Sequence, residues 1–355
     1  MFVYFDVQHI YYLPQYIPVI EKLSQRGHQC ALVFYRSQEK QFIDICETFA
    51  VENSIKAIWL EDKSNTLDFY QGVECDWVVF GNAFLDVDKL NNKSVLMQHG
   101  IGPKSCYYDV SNTTTTVRFV EGEHRLKRLK NLYPNGNFVD SGYAKLDPII
   151  NNSVEKVDLA GLGLDKNKPT LLYAPTFYPS SIECMSDDFP ECFPDYNIII
   201  KPHFFSLSKP RYKKQKSKIM RWQKYNNVYL TSESEFNLTP FLAVADIMLS
   251  DASSAIFEFA ALDKPVVWCD FYKLRWNYRG IFSYRFKARL DEDINYFHKI
   301  CQRAEQFSDV VSAVQLCASE SEEFRFNRKK IIEQLAGKID GNCADRIVNY
   351  LESYE

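Results

Sequence analysis

The chain has 355 residues, 46% of them hydrophobic and 25% charged, with a formal net charge of −4. At ~150 residues per domain this suggests two domains with cores of their own, and the mild acidity excludes a global field that would draw nucleic acid or a membrane. No apolar run reaches the ~18 residues needed to span a bilayer; residues 1–5 lack the basic start of a signal peptide, and Asp6 and Pro14 interrupt any apolar stretch.

Along the chain, residues 2–5 predict a strand. Residues 15–26 predict a helix with Ile17, Ile20 and Leu23 on one face and Gly27 as its stop. Strands are predicted at 29–35 and 55–60 around a helix at 40–50, then at 76–80, 94–98 and 117–120. The stretch 151–168, rich in Asn, Lys, Gly and Asp, reads as an interdomain linker. Strands resume at 170–174, 197–201, 228–231, 247–250 and 265–269, and the last ~60 residues read as helical. This alternation predicts an α/β fold of two Rossmann-like domains, 1–155 and 165–340, facing a central cleft, with a helix at 341–355. That is the layout of glycosyltransferase-B enzymes, and in such sheets ligands sit at the carboxyl ends of strands. None of the ten cysteines forms a C-x-x-C pair, so they read as reduced thiols of a cytoplasmic protein.

Four strand ends carry polar residues. His99 closes the strand at 94–98, and Gly100, Gly102 and Pro103 after it predict an exposed loop. An imidazole there suits a general base near neutral pH; the alternative is a structural His bonded to a loop carbonyl. Tyr173-Ala174-Pro175-Thr176-Phe177-Tyr178 puts Thr176 and aromatic rings at the end of the second half's first strand. Lys201-Pro202-His203 ends the next one with positive charge suited to a phosphate. Ser250-Asp251-Ala252-Ser253-Ser254 leads into a helix expected near Ser253, with Ile256, Phe259, Ala260 and Leu262 as its buried stripe. Hydroxyl-rich turns before a helix bind phosphate, although a single Ser or Asp there is also an ordinary cap. Together the four describe a site for an anionic leaving group plus a base. No Ser-His-Asp spacing, HExxH, Walker loop or GxGxxG is present. His9, His28, His124 and His298 have no such setting and read as structural. Residues 209–224 hold eight basic residues and no acidic one, which reads either as a solvated segment or as a patch facing an anionic surface.

As a set, His99-Gly100 with Lys104, the Tyr173 to Phe177 run, Lys201-Pro202-His203, Ser250-Asp251-x-Ser253-Ser254 with Glu258-Phe259, and Tyr278-Arg279-Gly280 resemble the CDP-glycerol glycerophosphotransferases. These are the teichoic-acid primases and polymerases and their relatives in capsule loci. The resemblance implies a glycosyltransferase-B fold with an acceptor-side first domain and a nucleotide-donor second domain. It implies transfer of glycerol phosphate from CDP-glycerol to a hydroxyl of an anionic or lipid-linked glycan primer, with release of CMP. His99 would be the catalytic base, and His203 would act at the donor pyrophosphate. Thr176, Lys201, Ser250, Asp251, Ser253, Ser254 and Arg279 would bind the donor, and Gly100 and Lys104 would lie on the acceptor side. No cofactor, metal or nucleic acid is expected, and the enzyme would work in the cytoplasm, on the inner face of a bacterial plasma membrane. Departures from the family pattern are Phe204 for a second Pro, Tyr178 for an Arg, Ala252 for a Tyr and Lys145 for an Arg. Alternatives are CDP-ribitol or CMP-Kdo as donor, a nucleotide-sugar 2-epimerase, and a non-catalytic glycan-binding protein.

Overall fold

The computed structural model describes residues 1–102, 104–284, 288 and 290–354. These form two units: Met1–His99 with Cys106–Asn152 and Gln334–Glu355, and Gly100–Ser105 with Ser153–Glu333.

The first unit is built on seven parallel strands. They are β1 Phe2–Asp6, β2 Gln29–Tyr35, β3 Lys56–Leu60, β4 Trp77–Phe80, β5 Lys93–Met97, β6 Val117–Val120 and β7 Phe138–Asp140, in the order β3-β2-β1-β4-β5-β6-β7. Helices cover both faces of such a sheet, which is why β4 is a continuous buried apolar run and why every position of β6, Arg118 included, is buried rather than alternating. The helix Leu13–Gln25 buries Leu13, Tyr16, Ile20 and Leu23, and Gly27 at φ 81° ends it in the left-handed conformation that glycine adopts without strain. The chain order reverses between β1 and β4, the place where sheets of this kind open a crevice at their carboxyl edge.

The second unit repeats the plan with six strands: β8 Thr170–Tyr173, β9 Asn197–Ile200, β10 Val228–Leu230, β11 Ile247–Ser250, β12 Val266–Cys269 and β13 Gln302–Ala304. Their order is β10-β9-β8-β11-β12-β13, again all parallel. Leu171, Tyr173, Ile198, Ile200, Trp222 and Leu249 belong to one buried cluster.

Sequence periodicity missed β7 and β13. Each is a three-residue edge strand, too short for a pattern, and takes its register from one neighbour: Arg118 pairs with Phe138, and Val267 with Gln302. The division also differs from the expected one. Residues 334–340 join the first unit. They are led there by the helix Cys343–Ser353, which buries Ile347, Val348 and Leu351, and whose Asp345 pairs with Lys22 at 3.0 Å and Arg26 at 2.7 Å. Residues 100–105 group with the second unit, where Lys104 bridges antiparallel to Leu290 and the Ser105 hydroxyl donates to the Ala288 carbonyl at 2.8 Å.

The return of residues 334–340 depends on a glycine. Gly122 has φ +80°, and a Cβ there would overlap the Gln334 carbonyl oxygen. Gly163 has the same φ, but nothing lies within 4 Å of its Cβ direction. Gly163→Ala should therefore cost only the left-handed strain, ~1 kcal/mol. Gly122→Ala should cost at least a further ~1 kcal/mol, because a backbone carbonyl must move. Urea denaturation of the two variants checks this; equal losses would show that the close approach is not needed.

Candidate active site

In the first unit the carboxyl ends of β1, β4 and β5 carry the candidate base. His99 follows β5, and its Nδ1 lies 3.0 Å from the Gly81 carbonyl oxygen. A carbonyl only accepts, so Nδ1 carries the proton and the neutral ring keeps its lone pair on Nε2. The ring lies on Tyr12, with centroids 4.8 Å apart and planes at 27°, and it touches Tyr11 at 4.9 Å and the edge of Tyr107 at 5.9 Å. The Tyr143 hydroxyl donates to the His99 carbonyl at 2.9 Å. Gly81 must be glycine, because a Cβ there would run into the Tyr12 ring. Sequence reasoning passed over Tyr11, Tyr12 and Gly81; their position just after β1 and β4, beside the reversal in strand order, is the signal that could have found them. His9, read from sequence as structural, stacks on Tyr11 at the same edge with a 4.9 Å centroid distance.

Below this edge lies Asp6, wholly buried at the end of β1. Its carboxylate accepts from the hydroxyls of Tyr35 and, at 3.1 Å, Tyr70, and its backbone carbonyl accepts from Tyr16 at 3.2 Å. Burial pushes the Asp6 carboxyl up to about 6, against the opposing pull of those hydroxyls.

In the second unit Thr176, Lys201, His203 and the Ser250 to Ser254 turn come together at the carboxyl ends of β8, β9 and β11. The backbone N–H of Lys201 donates to the Tyr173 carbonyl at 2.8 Å, and that of His203 to the Pro175 carbonyl at 3.2 Å. His203 caps the helix Phe204–Ser208: its Nδ1 accepts from Phe205 N–H at 3.2 Å. The neutral ring therefore carries its proton on Nε2, the reverse of His99. Phe177 packs on the His203 ring at 4.6 Å.

Ser250 and Asp251 have a different task from the donor contact expected of them. Both are 0% exposed. The Ser250 hydroxyl donates to the Ala174 carbonyl at 2.7 Å. The Asp251 carboxylate accepts from Thr176 N–H at 2.7 Å, Ser181 N–H at 2.9 Å and the Ser181 hydroxyl at 3.0 Å. They tie down the loop that carries Thr176 and Phe177. Burial pushes the Asp251 carboxyl up to about 6, opposed by these bonds.

The turn closes first, with Ser253 N–H on the Asp251 carbonyl at 2.6 Å, so the helix begins at Ala255 and not near Ser253. It spans Ala255–Ala260 and is buried on all sides, leaving the half-buried Leu262 outside it. The Ser253 hydroxyl accepts from Ala255 N–H at 3.3 Å, whereas that of Ser254 makes no cap bond.

Three expected site residues stand apart. Arg279 is exposed, with its Nε on the Leu274 carbonyl. Gly100 and Lys104 belong with the second unit, and Gly100, Ile101 and Gly102 are buried rather than exposed, Ile101 being an apolar side chain that gains by enclosure; Pro103 lies outside the described residues. All ten cysteines are free thiols, and no group of three or more His, Cys, Asp or Glu among the described residues is placed to hold a metal ion.

Residues 85–353 match the family model described as CDP-glycerol:poly(glycerophosphate) glycerophosphotransferase. The chain is 25% identical over 197 residues to the teichoic acid glycerol-phosphate primase of Bacillus subtilis (strain 168). That alignment covers 53% of this chain and 44% of the primase, so the chain spans less than half the length of that curated relative. Among solved structures it resembles the wall teichoic acid polymerase TagF, with TM-score 0.67, 14% identity and coverage of 99% of this chain and 88% of the other. It equally resembles the UDP-GlcNAc 2-epimerase of Neisseria meningitidis, with TM-score 0.67, 14% identity and full coverage of both chains. These likenesses show the fold, two Rossmann-like units of the glycosyltransferase-B class.

The two raised carboxyls have a consequence for stability. Asp6 and Asp251 titrate at about 6 in the folded chain against an ordinary 3.8. The native state thus binds these protons more tightly than the unfolded chain. Their contribution to stability is fully present below the unfolded value and is lost as pH rises through about 6. Inside that window each group contributes a slope of at most about 1.4 kcal/mol per pH unit. Denaturation of the wild type at pH 5, 6 and 7 should show it losing stability with rising pH relative to Asp251→Asn. Parallel curves would mean that the Asp251 carboxyl is not raised.

Proposed function

The chain belongs to the CDP-glycerol:poly(glycerophosphate) glycerophosphotransferase family, and we propose that it transfers glycerol phosphate from CDP-glycerol to a hydroxyl of an anionic, lipid-linked glycan primer, releasing CMP. The observation that carries the mechanism is the 3.0 Å contact of His99 Nδ1 with the Gly81 carbonyl, which in the neutral ring puts the proton on Nδ1 and the basic lone pair on Nε2. The acceptor hydroxyl gives that proton to Nε2 as its oxygen bonds to the donor's β-phosphorus. The bond from that phosphorus to the bridging oxygen breaks, and CMP leaves with the oxygen and its electron pair. His203 Nε2–H and the Lys201 ammonium meet the charge that grows on the departing phosphate. The Ser254 hydroxyl adds a bond to the donor's phosphates, while Ser250 and Asp251 position the Thr176 loop. Glycerol as the transferred group, rather than ribitol or Kdo, is supported by the glycerol-phosphate primase likeness and by TagF, a variant of which was soaked with CDPG.

The basic stretch is read in the same light. The helix Lys213–Trp222 buries Gln215, Ile219 and Trp222. Lys216 reaches Glu233 at 3.4 Å, and Lys218 and Arg221 share Asp187 at 3.6 and 2.9 Å. Arg211, Lys213, Lys214 and Lys224 are exposed and, among the described residues, have no acidic partner. We infer that these four meet an anionic lipid surface, the inner face of a bacterial plasma membrane, at about 1 kcal/mol per cation. No helix among the described residues is long and apolar enough to cross a membrane.

A panel of CDP- and CMP-linked donors, scored for nucleotide release with and without acceptor, tests the reaction; failure of CDP-glycerol to yield CMP would overturn it. His99→Ala should lower kcat by ~10²–10⁴ while keeping donor affinity; a variant with more than half of wild-type turnover would remove His99 from the chemistry. His203→Ala should lose both donor affinity and rate, and Ser254→Ala should weaken CMP binding by ~0.5–1.5 kcal/mol, as read by calorimetry. In vesicle flotation with anionic lipid at low salt, the wild type should bind. A variant with Arg211, Lys213, Lys214 and Lys224 changed to Gln should not, and equal flotation would end the membrane assignment.

A further inference from the structure

The guanidinium groups of the second unit are held differently: Arg211 is exposed, and Arg279, also exposed, rests on the Leu274 carbonyl. Arg221, Arg303, Arg325 and Arg328 each meet a carboxylate, from Asp187, Asp270 or Asp263. Arg275 meets none among the described residues. It stands half-buried over the Tyr178 ring, 4.0 Å from its centroid, with the Tyr212 ring at 5.6 Å. Its Nη2 donates to the Tyr212 hydroxyl at 3.3 Å, and its backbone N–H to the Tyr178 hydroxyl at 2.9 Å.

The topology places this arrangement at the candidate site. Tyr178 follows β8, Tyr212 follows β9 and Arg275 follows β12, all leaving the carboxyl edge of one sheet. The Phe177 ring touches His203 at 4.6 Å and Tyr212 at 5.7 Å, so one run of contacts joins His203 to Arg275.

A carboxylate neutralises a guanidinium and takes up its fork of donors. Aromatic faces orient the same group while leaving its charge and most of its five N–H donors for an anion. With Lys201 and His203 at the same edge, the anion that fits is a diphosphate, which an arginine fork can grip through two oxygens. We infer that Arg275 is a ligand of the donor's diphosphate. The inference rests on the proposed use of a cytidine-diphosphate donor and adds a residue that the sequence motifs did not single out.

The experiment compares wild type, Arg275→Gln and Arg275→Lys for binding of CDP by calorimetry and of cytidine, which lacks phosphate, by saturation-transfer NMR. Arg275→Gln should bind CDP at least tenfold more weakly and cytidine as the wild type does. Arg275→Lys, which keeps the charge but loses the fork, should fall between. CDP affinity within twofold of wild type in Arg275→Gln would overturn the inference, and so would a parallel loss of CDP and cytidine, which marks a structural role. Should Arg275→Gln not fold, the Lys variant decides alone by the same comparison: wild-type CDP affinity overturns the inference. If the wild type binds neither CDP nor cytidine, the cytidine-donor reading fails and this inference falls with it, an outcome distinct from failure of the Arg275 assignment alone.

Discussion

An ionised carboxylate shut away from water costs several kcal/mol unless donors surround it. Asp251 meets that requirement with two backbone N–H groups and two hydroxyls, drawn from residues 176, 180 and 181. The loop after β8 therefore cannot move without exposing an unpaired buried charge. Thr176, Phe177 and Tyr178 all take their positions from this loop. Phe177 in turn packs on His203, and Tyr178 carries Arg275. Asp6, buried at the end of β1 in the first unit, meets the same requirement with the hydroxyls of Tyr35 and Tyr70 in place of backbone donors.

Above Asp6 the constraint passes to shape. Tyr12 lies flat on His99 and so close to Gly81 that no side chain fits there. The Gly81 carbonyl then fixes which nitrogen of His99 bears the proton. His203 is fixed in the opposite tautomer by a helix-capping bond. These backbone partners leave the neutral rings in opposite tautomers, with the proton on Nδ1 in His99 and on Nε2 in His203.

The same fold serves a polymerase of wall teichoic acid and a UDP-GlcNAc 2-epimerase, each only 14% identical to this chain. Architecture therefore leaves the chemistry open, and the strand-end residues decide it. In the second unit they offer imidazole, ammonium, guanidinium and hydroxyl groups, with the Asp251 carboxylate buried and already bonded. That donor set suits a phosphorylated substrate and a proton acceptor.

Much of this was legible in the sequence. Apolar runs marked eleven strands, because buried parallel strands need no partner to announce their hydrophobicity, and the placement of His99, Lys201, His203 and Ser254 just beyond strand ends followed from them. The family was legible too, since its motifs are local. What tertiary structure alone decided is whatever depends on partners distant in the chain. The edge strands β7 and β13 exist only through their neighbours. Ser250 and Asp251 turned from presumed ligands into anchors because residues 174–181 fold back on them. The tautomer of His99 depends on a carbonyl 18 residues away, and the setting of Arg275 on a tyrosine 97 residues away. A local pattern records what a residue is, whereas hydrogen bonds and ring contacts across such separations determine which of its atoms remain available for chemistry.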